Sequence, residues 1–238
     1  MEKLSGKRVL VAGATGGIGS RLSHLLHSSG AEVYVTGRDA ARLSALAGEL
    51  RLPPGRSFAA DLSDAAAVEA MASSVLAQGG APDILVNASG VGIIKPLEQL
   101  GLEDFTATLQ ANLVGAFLLV KAFLPAMKER KRGLVINIPG VLGKVPMAGA
   151  AAYSASKYGL VGMMQSIREE VKRTEIRITN IYMGGVDTPF WDTIDLRVQR
   201  ERMIQSEDAA RAIWFLCQQP LSGVVSEMVL QPFNHQAI

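Results

Sequence analysis

The stretch Arg8-Val-Leu-Val-Ala-Gly-Ala-Thr-Gly-Gly-Ile-Gly-Ser20 decides the fold. Its apolar residues Val9, Leu10, Val11 and Ala12 have the length of a buried strand, and from Arg21 to Leu26 the apolar positions take up a helical period. Between them stand Gly13, Gly17 and Gly19. Gly13 allows a tight turn, while Gly17 and Gly19 remove side chains that would hold a pyrophosphate away from the N–H groups at the helix start, where the macrodipole favours an anion. The spacing is G-x-x-x-G-x-G and not the commoner G-x-G-x-x-G, so the strand-to-helix context carries the dinucleotide reading.

Outward from this turn the pattern repeats. Gly30 ends the first helix, residues 32–36 read as a strand, and Asp39 caps a helix to about Leu50. Pro53-Pro54-Gly55 makes a turn before a short strand, 57–60, that ends at Asp61. Ser63-Asp64 opens a helix to about Gln78, and 83–87 is the next strand. Strands alternating with helices of this length predict an α/β fold, a doubly wound parallel sheet with right-handed crossovers and helices on both faces. Ligands of such a sheet bind past the carboxyl ends of its strands. At the end of the second strand stands Gly37-Arg38, with no acid to accept from a ribose 2′-hydroxyl, and an arginine there pairs with a 2′-phosphate. That favours NADP(H) over NAD(H).

The totals agree with one domain over residues 1–238. A chain of 238 residues buries roughly 70–75% of its unfolded surface. Apolar residues are 48% and charged residues 19%, below the roughly 25% of an average domain, as a sheet covered on both faces requires. No apolar run reaches 18 residues and Met1 leads directly into the first strand, so no membrane span or signal peptide is expected and the chain is placed in the cytoplasm. A formal charge of +2 gives no argument for nucleic acid, and the basic cluster from Lys128 to Arg132 reads as a helix-to-strand turn. Cys217, the only cysteine, falls in a helical apolar run and is expected in the core. His24 and His27 lack a third ligand, so no metal site is expected.

The second half carries the chemistry. Asn87-Ala88-Ser89-Gly90 follows the fourth strand, a long helix from about 102 to 127 contains Asn112, and 133–138 is a strand. Ala151-Ala-Tyr-Ser-Ala-Ser-Lys157 then opens a helix to about Lys172, with Tyr153 and Lys157 four residues apart on one face. A phenol has an ordinary pKa near 10, so acting as a base near pH 7 needs a shift of about three units, some 4 kcal/mol, and a neighbouring ammonium favours the phenolate. Residues 226–230 are the last strand, after a helix capped at Ser206-Glu207-Asp208 and running to about Gln218.

Taken together and in this order, the glycine turn, N-A-S-G, Asn112 and Y-x-x-x-K resemble the short-chain dehydrogenase/reductase family over nearly the whole chain. The resemblance implies a single-domain Rossmann fold with a seven-stranded sheet. It also implies an NADP(H)-dependent oxidoreductase interconverting a small-molecule carbonyl and its alcohol, and a homotetramer or homodimer. It assigns the pyrophosphate to Gly13, Thr15, Gly17, Ile18 and Gly19, the 2′-phosphate to Arg38, and the adenine to Asp61 and Leu62. Asn87, Ala88, Ser89 and Gly90 lie beside the ribose and nicotinamide, and Gly184, Val186 and Thr188 meet the nicotinamide amide. Tyr153 is the acid/base, Lys157 binds the nicotinamide ribose and lowers the tyrosine pKa, and Asn112 positions a water in a proton relay. A lid over the substrate is expected at about 186–204, helix-like toward Ile204, with Phe190 and Trp191 as its apolar wall or its anchor.

Four positions depart from the family pattern. The serine usual 13 residues before the tyrosine is Gly140, and the proline usual before Gly184 is Met183, which is expected to loosen that loop. Ser89, often alanine, and Ala12, often threonine, are tolerable. Gly140 leaves a second reading open at this point: an NADP(H)-binding regulatory or partner subunit with little or no catalysis.

Overall fold

The computed structural model describes residues 1–233. Strand β1 (Arg8–Ala12) is buried along its whole length and ends at Gly13, whose φ of +76° turns the chain toward helix α1 (Gly17–Ser28). Gly30, at φ +79°, reverses the chain after α1 into β2 (Glu32–Gly37). Then come α2 (Ala40–Glu49), β3 (Ser57–Ala59), α3 (Ala65–Ala77) and β4 (Ile84–Asn87). The caps fall where short polar side chains can accept N–H bonds: Asp39 from the Arg42 amide, Asp64 from those of Ala66 and Ala67. The chain goes on through α4 (Leu102–Leu109), α5 (Gly115–Arg130), β5 (Arg132–Asn137), α6 (Ala151–Val171) and β6 (Glu175–Met183). Two short strands, β7 (Val186–Asp187) and β8 (Ile204–Gln205), precede α7 (Ser206–Cys217) and β9 (Glu227–Leu230).

Seven strands form one parallel sheet in the order β3-β2-β1-β4-β5-β6-β9. Because side chains alternate across a strand, β1 sends Val9 and Val11 to one face and Leu10 and Ala12 to the other. The first face packs on Leu22 and Leu26 of α1, Leu43 and Leu46 of α2, and Ile213 and Leu216 of α7. The second packs on Val68 and Val75 of α3, Leu119 and Phe123 of α5, and Leu160 and Met164 of α6. This is the doubly wound Rossmann architecture expected, with the strand order reversing between β1 and β4. Cys217 is buried in the first core, as its apolar run implied.

Four local expectations need correction. The spacing placed six of the seven strands by residue number; the seventh is β6, where Ile176 and Ile178 face one core while Ile181 and Met183 face the other. The long helix is interrupted: residues Gln110–Val114 form a π turn between α4 and α5. The lid is not helix-like; it holds two 3₁₀ turns, Pro189–Thr193 and Arg200–Arg202, and β7 pairs with β8 to close its neck. Ser206 is the first residue of α7 and not its cap, because its hydroxyl goes to the neighbouring Glu207 carboxylate.

Taken together, the helical run Leu102–Arg130 is long and apolar enough to cross a membrane by length and composition alone. Here its inner residues Leu119, Val120, Phe123 and Met127 fill the sheet's second core. The basic cluster is a structural turn: Lys131 takes φ +56°, while Arg130 donates to the carbonyls of Ala81 and Pro82.

Candidate active site

The strand order reverses at the carboxyl ends of β1 and β4, and there the loops part around a cleft of about 1110 Å³. Of the residues expected at the site, all but Asn87 and Asn112 line it. At Gly13 the β1 turn runs against the loop after β4 so closely that a Cβ would stand 2.7 Å from backbone atoms of Ala88 and Ser89. The other glycines answer to protein atoms as well. A Cβ at Gly19 would collide with the Gly13 carbonyl oxygen, and one at Gly17 would reach the Thr188 side chain at 2.6 Å. Their need for glycine thus comes from the tight turn and the approach of the lid.

Helix α1 begins at the cleft with Gly16 as its N-cap, no side chain capping it and no acid in its first turn. Its first N–H groups and its positive dipole end therefore face the cleft, which suits phosphate oxygens. At the far end Arg38 and Arg42 line the opening beside Asp61. The Asp61 carboxylate accepts from the Ser63 amide and hydroxyl at 2.9 and 2.8 Å, and these bonds, with Arg38 nearby, hold its pKa below the usual carboxylate value.

Helix α6 brings Tyr153 and Lys157 to the cleft floor one turn apart. The Lys157 ammonium is 3% exposed, donates to the Ile138 carbonyl at 3.2 Å and stands 5.3 Å from the Tyr153 ring centroid. Burial brings its pKa down to about 8 and pushes the Tyr153 phenol above its ordinary value. The expected lowering of the phenol by Lys157 therefore meets an opposing desolvation, which is the larger influence in this structure. Phe190 of the lid lies 5.9 Å from the Tyr153 ring and packs edge-on against Trp191, whose indole N–H donates to the Val186 carbonyl at 2.9 Å. Gly92 makes room for Phe190, since a Cβ there would come within 2.3 Å of its ring. Both aromatic residues line the cleft, and the Trp191 indole also ties the lid to its own neck at Val186.

A family model described as short chain dehydrogenase matches residues 7–198. The chain belongs to the short chain dehydrogenase family. Over 225 residues it is 34% identical to a D-threitol dehydrogenase of Mycolicibacterium smegmatis, covering 90% of this chain and 86% of that one. Among solved structures it resembles a metagenomic short-chain oxidoreductase in complex with NADP, at 36% identity and a TM-score of 0.84 over 98% of this chain and all of the other. An alcohol dehydrogenase from the archaeon Thermococcus sibiricus complexed with 5-hydroxy-NADP matches over the same shares at 26% identity and a TM-score of 0.87.

Several details of this short chain dehydrogenase were not legible beforehand. Asn87 is buried beneath the cleft, and its side-chain oxygen accepts from the Ser89 amide and, at 2.5 Å, from the Ser89 hydroxyl. Asn112 sits in the π turn behind the wall. Its amide donates to the Val91 carbonyl and the Ser156 hydroxyl, while its oxygen accepts from the Val91 amide at 2.8 Å. Both amide protons are thus committed to protein partners, and the side chain clamps the loop after β4 against α6. Arg42, missed in the sequence, reaches from α2 to the Thr15 carbonyl at 2.7 Å and fixes the glycine turn; its place one turn after Arg38 was the available signal. Met183, where the family pattern has proline, pairs with Leu230 in the sheet, and the Gly184 amide bonds the Leu230 carbonyl at 2.8 Å. Gly140 lines the cleft at φ +70° and ψ 175°, a conformation that L side chains rarely adopt.

Proposed function

We propose that this short chain dehydrogenase is an NADP(H)-dependent carbonyl reductase in which Tyr153 donates the proton to the substrate oxygen. The observation that carries this is the placement of Tyr153 and Lys157 on one face of α6, at the floor of a cleft whose other end is the uncapped start of α1. The amides at the start of α1 would hold the diphosphate, with Arg38 and Arg42 at the 2′-phosphate. The loop from Ala88 to Gly90 and the segment from Gly184 to Thr188 would flank the nicotinamide. When bound, a reduced nicotinamide supplies the hydride to the carbonyl carbon. As charge develops on the substrate oxygen, the Tyr153 O–H transfers its proton there, and the resulting phenolate is stabilised by the Lys157 ammonium. Steady NADPH consumption with a panel of ketones and diones supports the reading; tight NADPH binding with no turnover contradicts it.

That contrary result is what the second reading, a cofactor-binding partner subunit, expects, and the glycine-only backbone at Gly140 favours it. Ser89 offers the substrate little compensation for the absent serine, since its own proton goes to Asn87.

Arg38 gives the cofactor prediction. NADPH binds at least tenfold more tightly than NADH, about 1.4 kcal/mol, and Arg38→Ala brings the two together. Fluorescence titration of both cofactors checks this, and equal affinities in the unaltered protein would sink the assignment.

Lys157 gives a pH prediction. Its folded pKa, about 8, lies below its ordinary 10.5, so the unfolded chain binds more protons between those values and stability rises with pH there, by up to roughly 3 kcal/mol. Tyr153, raised by burial, acts oppositely only above its ordinary value of 10. Urea midpoints at pH 8 and pH 10 should therefore rise in the natural chain and lose that rise in Lys157→Met; parallel pH curves for the two proteins would show that the lysine is not buried.

The assembly proposed is a homotetramer or homodimer through the outer faces of α5 and α6 and the edge formed by α7 and β9. Phe117, Tyr158, Phe215 and Val229 are exposed there. Light scattering at micromolar concentration that returns a 25.3 kDa particle would contradict it.

A further inference from the structure

We propose that the lid end of the cleft is an anion site, formed by Arg197 and Arg202, and that the substrate carries a carboxylate on an apolar body. The inference rests on the reductase reading above and names its substrate class.

Three arginines fall between positions 197 and 202 of the lid, and they are used differently. Arg200 is committed to the lid itself: its Nε donates to Asp187 Oδ1 at 2.6 Å, one terminal nitrogen to Asp192 Oδ1 at 2.6 Å, and the other to the Thr188 carbonyl at 3.0 Å. One guanidinium thereby ties together both sides of the residues that carry Phe190 and Trp191. It also meets both the Asp187 and the Asp192 carboxylate, one positive charge against two negative ones. Arg197 and Arg202 are exposed on the cleft wall, and among the described residues neither side chain has an ion pair or a hydrogen bond. The one carboxylate among the described residues lining the cleft is Asp61, which is tied to Ser63 and lies beside Arg38 at the opposite end.

The lid therefore turns two cations toward the cleft, while its remaining carboxylates, Asp195 and Glu201, are exposed and do not line it; the same lining carries the apolar Ile94, Leu142, Val145 and Phe190 beside the polar Thr193 and Gln199. Both guanidinium groups line the same cleft, so an anion bound there can meet them. Guanidinium groups match a carboxylate's two oxygens in bidentate geometry. The apolar residues take the body of the molecule and Tyr153 meets its carbonyl. An oxo acid satisfies all three. The same guanidinium chemistry would hold the diphosphate oxygens of the cofactor, so the test must separate these two oxyanions.

The probes are benzoylacetate and its ethyl ester, which share the ketone and the aromatic body and differ in the charge. With NADPH saturating, kcat/KM for benzoylacetate is expected to exceed that for the ester at least tenfold. The ratio should fall at least tenfold in the Arg197→Gln/Arg202→Gln double variant, less in either single variant, and not at all in Arg211→Gln, which removes a charge from the outer face of α7. The NADPH Kd of the double variant should stay within twofold of that of the natural chain. A ratio near one in the natural chain overturns the site. So does a tenfold weaker NADPH Kd in the double variant with an unchanged ratio, which would give the two arginines to the cofactor. If neither ketone turns over, titrating both probes into the NADPH-bound protein by fluorescence decides separately. Selective binding of benzoylacetate that the double variant loses keeps the anion site while the reductase reading falls; equal or absent binding of the two probes removes the site.

Discussion

Replacing Tyr153 by Phe should reduce turnover by about 10² to 10⁴ while leaving NADPH affinity in place. The substitution removes one hydroxyl and keeps the ring, so the packing against Phe190 at 5.9 Å is preserved. It also leaves Lys157 anchored, because that ammonium is held by the Ile138 carbonyl and not by the phenol. The loss therefore reports the proton donor and not the collapse of the site. Steady-state kinetics beside a cofactor titration and a thermal melt read the three quantities separately. If the variant turns over at the rate of the natural chain, another group protonates the substrate, and the assignment of α6 as the catalytic element fails.

The second large effect concerns Gly140. One preorganised donor to a developing oxyanion is worth about 10² to 10³ in kcat, so Gly140→Ser should raise activity at least tenfold per folded molecule. The same substitution should lower stability by about 1–3 kcal/mol, because φ +70° with ψ 175° is a region open almost only to glycine. Space is not the obstacle: a Cβ there would meet only the Met183 carbonyl oxygen, at 3.4 Å. The strain lies in the backbone, where the Gly140 amide bonds the Ile181 carbonyl and its own carbonyl accepts from Gly143. An unshifted melting temperature would mean that the loop relaxes freely. A folded, NADPH-binding variant with no gain in rate would mean that more than a hydroxyl is missing, as the partner-subunit reading requires.

What could be read in advance was what is local. Strand, glycine turn and helix follow one another within Arg8 to Ser20, Asp39 and Asp64 cap their own helices, and Tyr153 and Lys157 meet because they are four residues apart. What could not be read depends on partners distant in the chain. The π turn around Asn112 follows from bonds to Val91 and Ser156, 21 and 44 residues away, and no local pattern announces it. The lid mimics a helical period, yet its course is set by the Arg200 clasp and by Gly185, whose carbonyl takes the Ile204 amide and helps close the neck. Gly17 and Gly19 could be recognised as necessary, but the atoms that make them so, in Thr188 and Gly13, belong to the assembled fold. Burial, too, is a property of the fold: it raises the Tyr153 phenol where spacing alone suggested that Lys157 would lower it.

The central claim is that this cleft moves a hydride from NADPH to a carbonyl carbon with Tyr153 supplying the proton. The most direct measurement is mass spectrometry of the product formed with NADPH deuterated at the transferable C4 position. The account predicts an alcohol carrying one carbon-bound deuterium at the former carbonyl carbon, formed by the natural chain and not by Tyr153→Phe. Tight binding of the deuterated cofactor with no labelled alcohol from any ketone of the panel would contradict it.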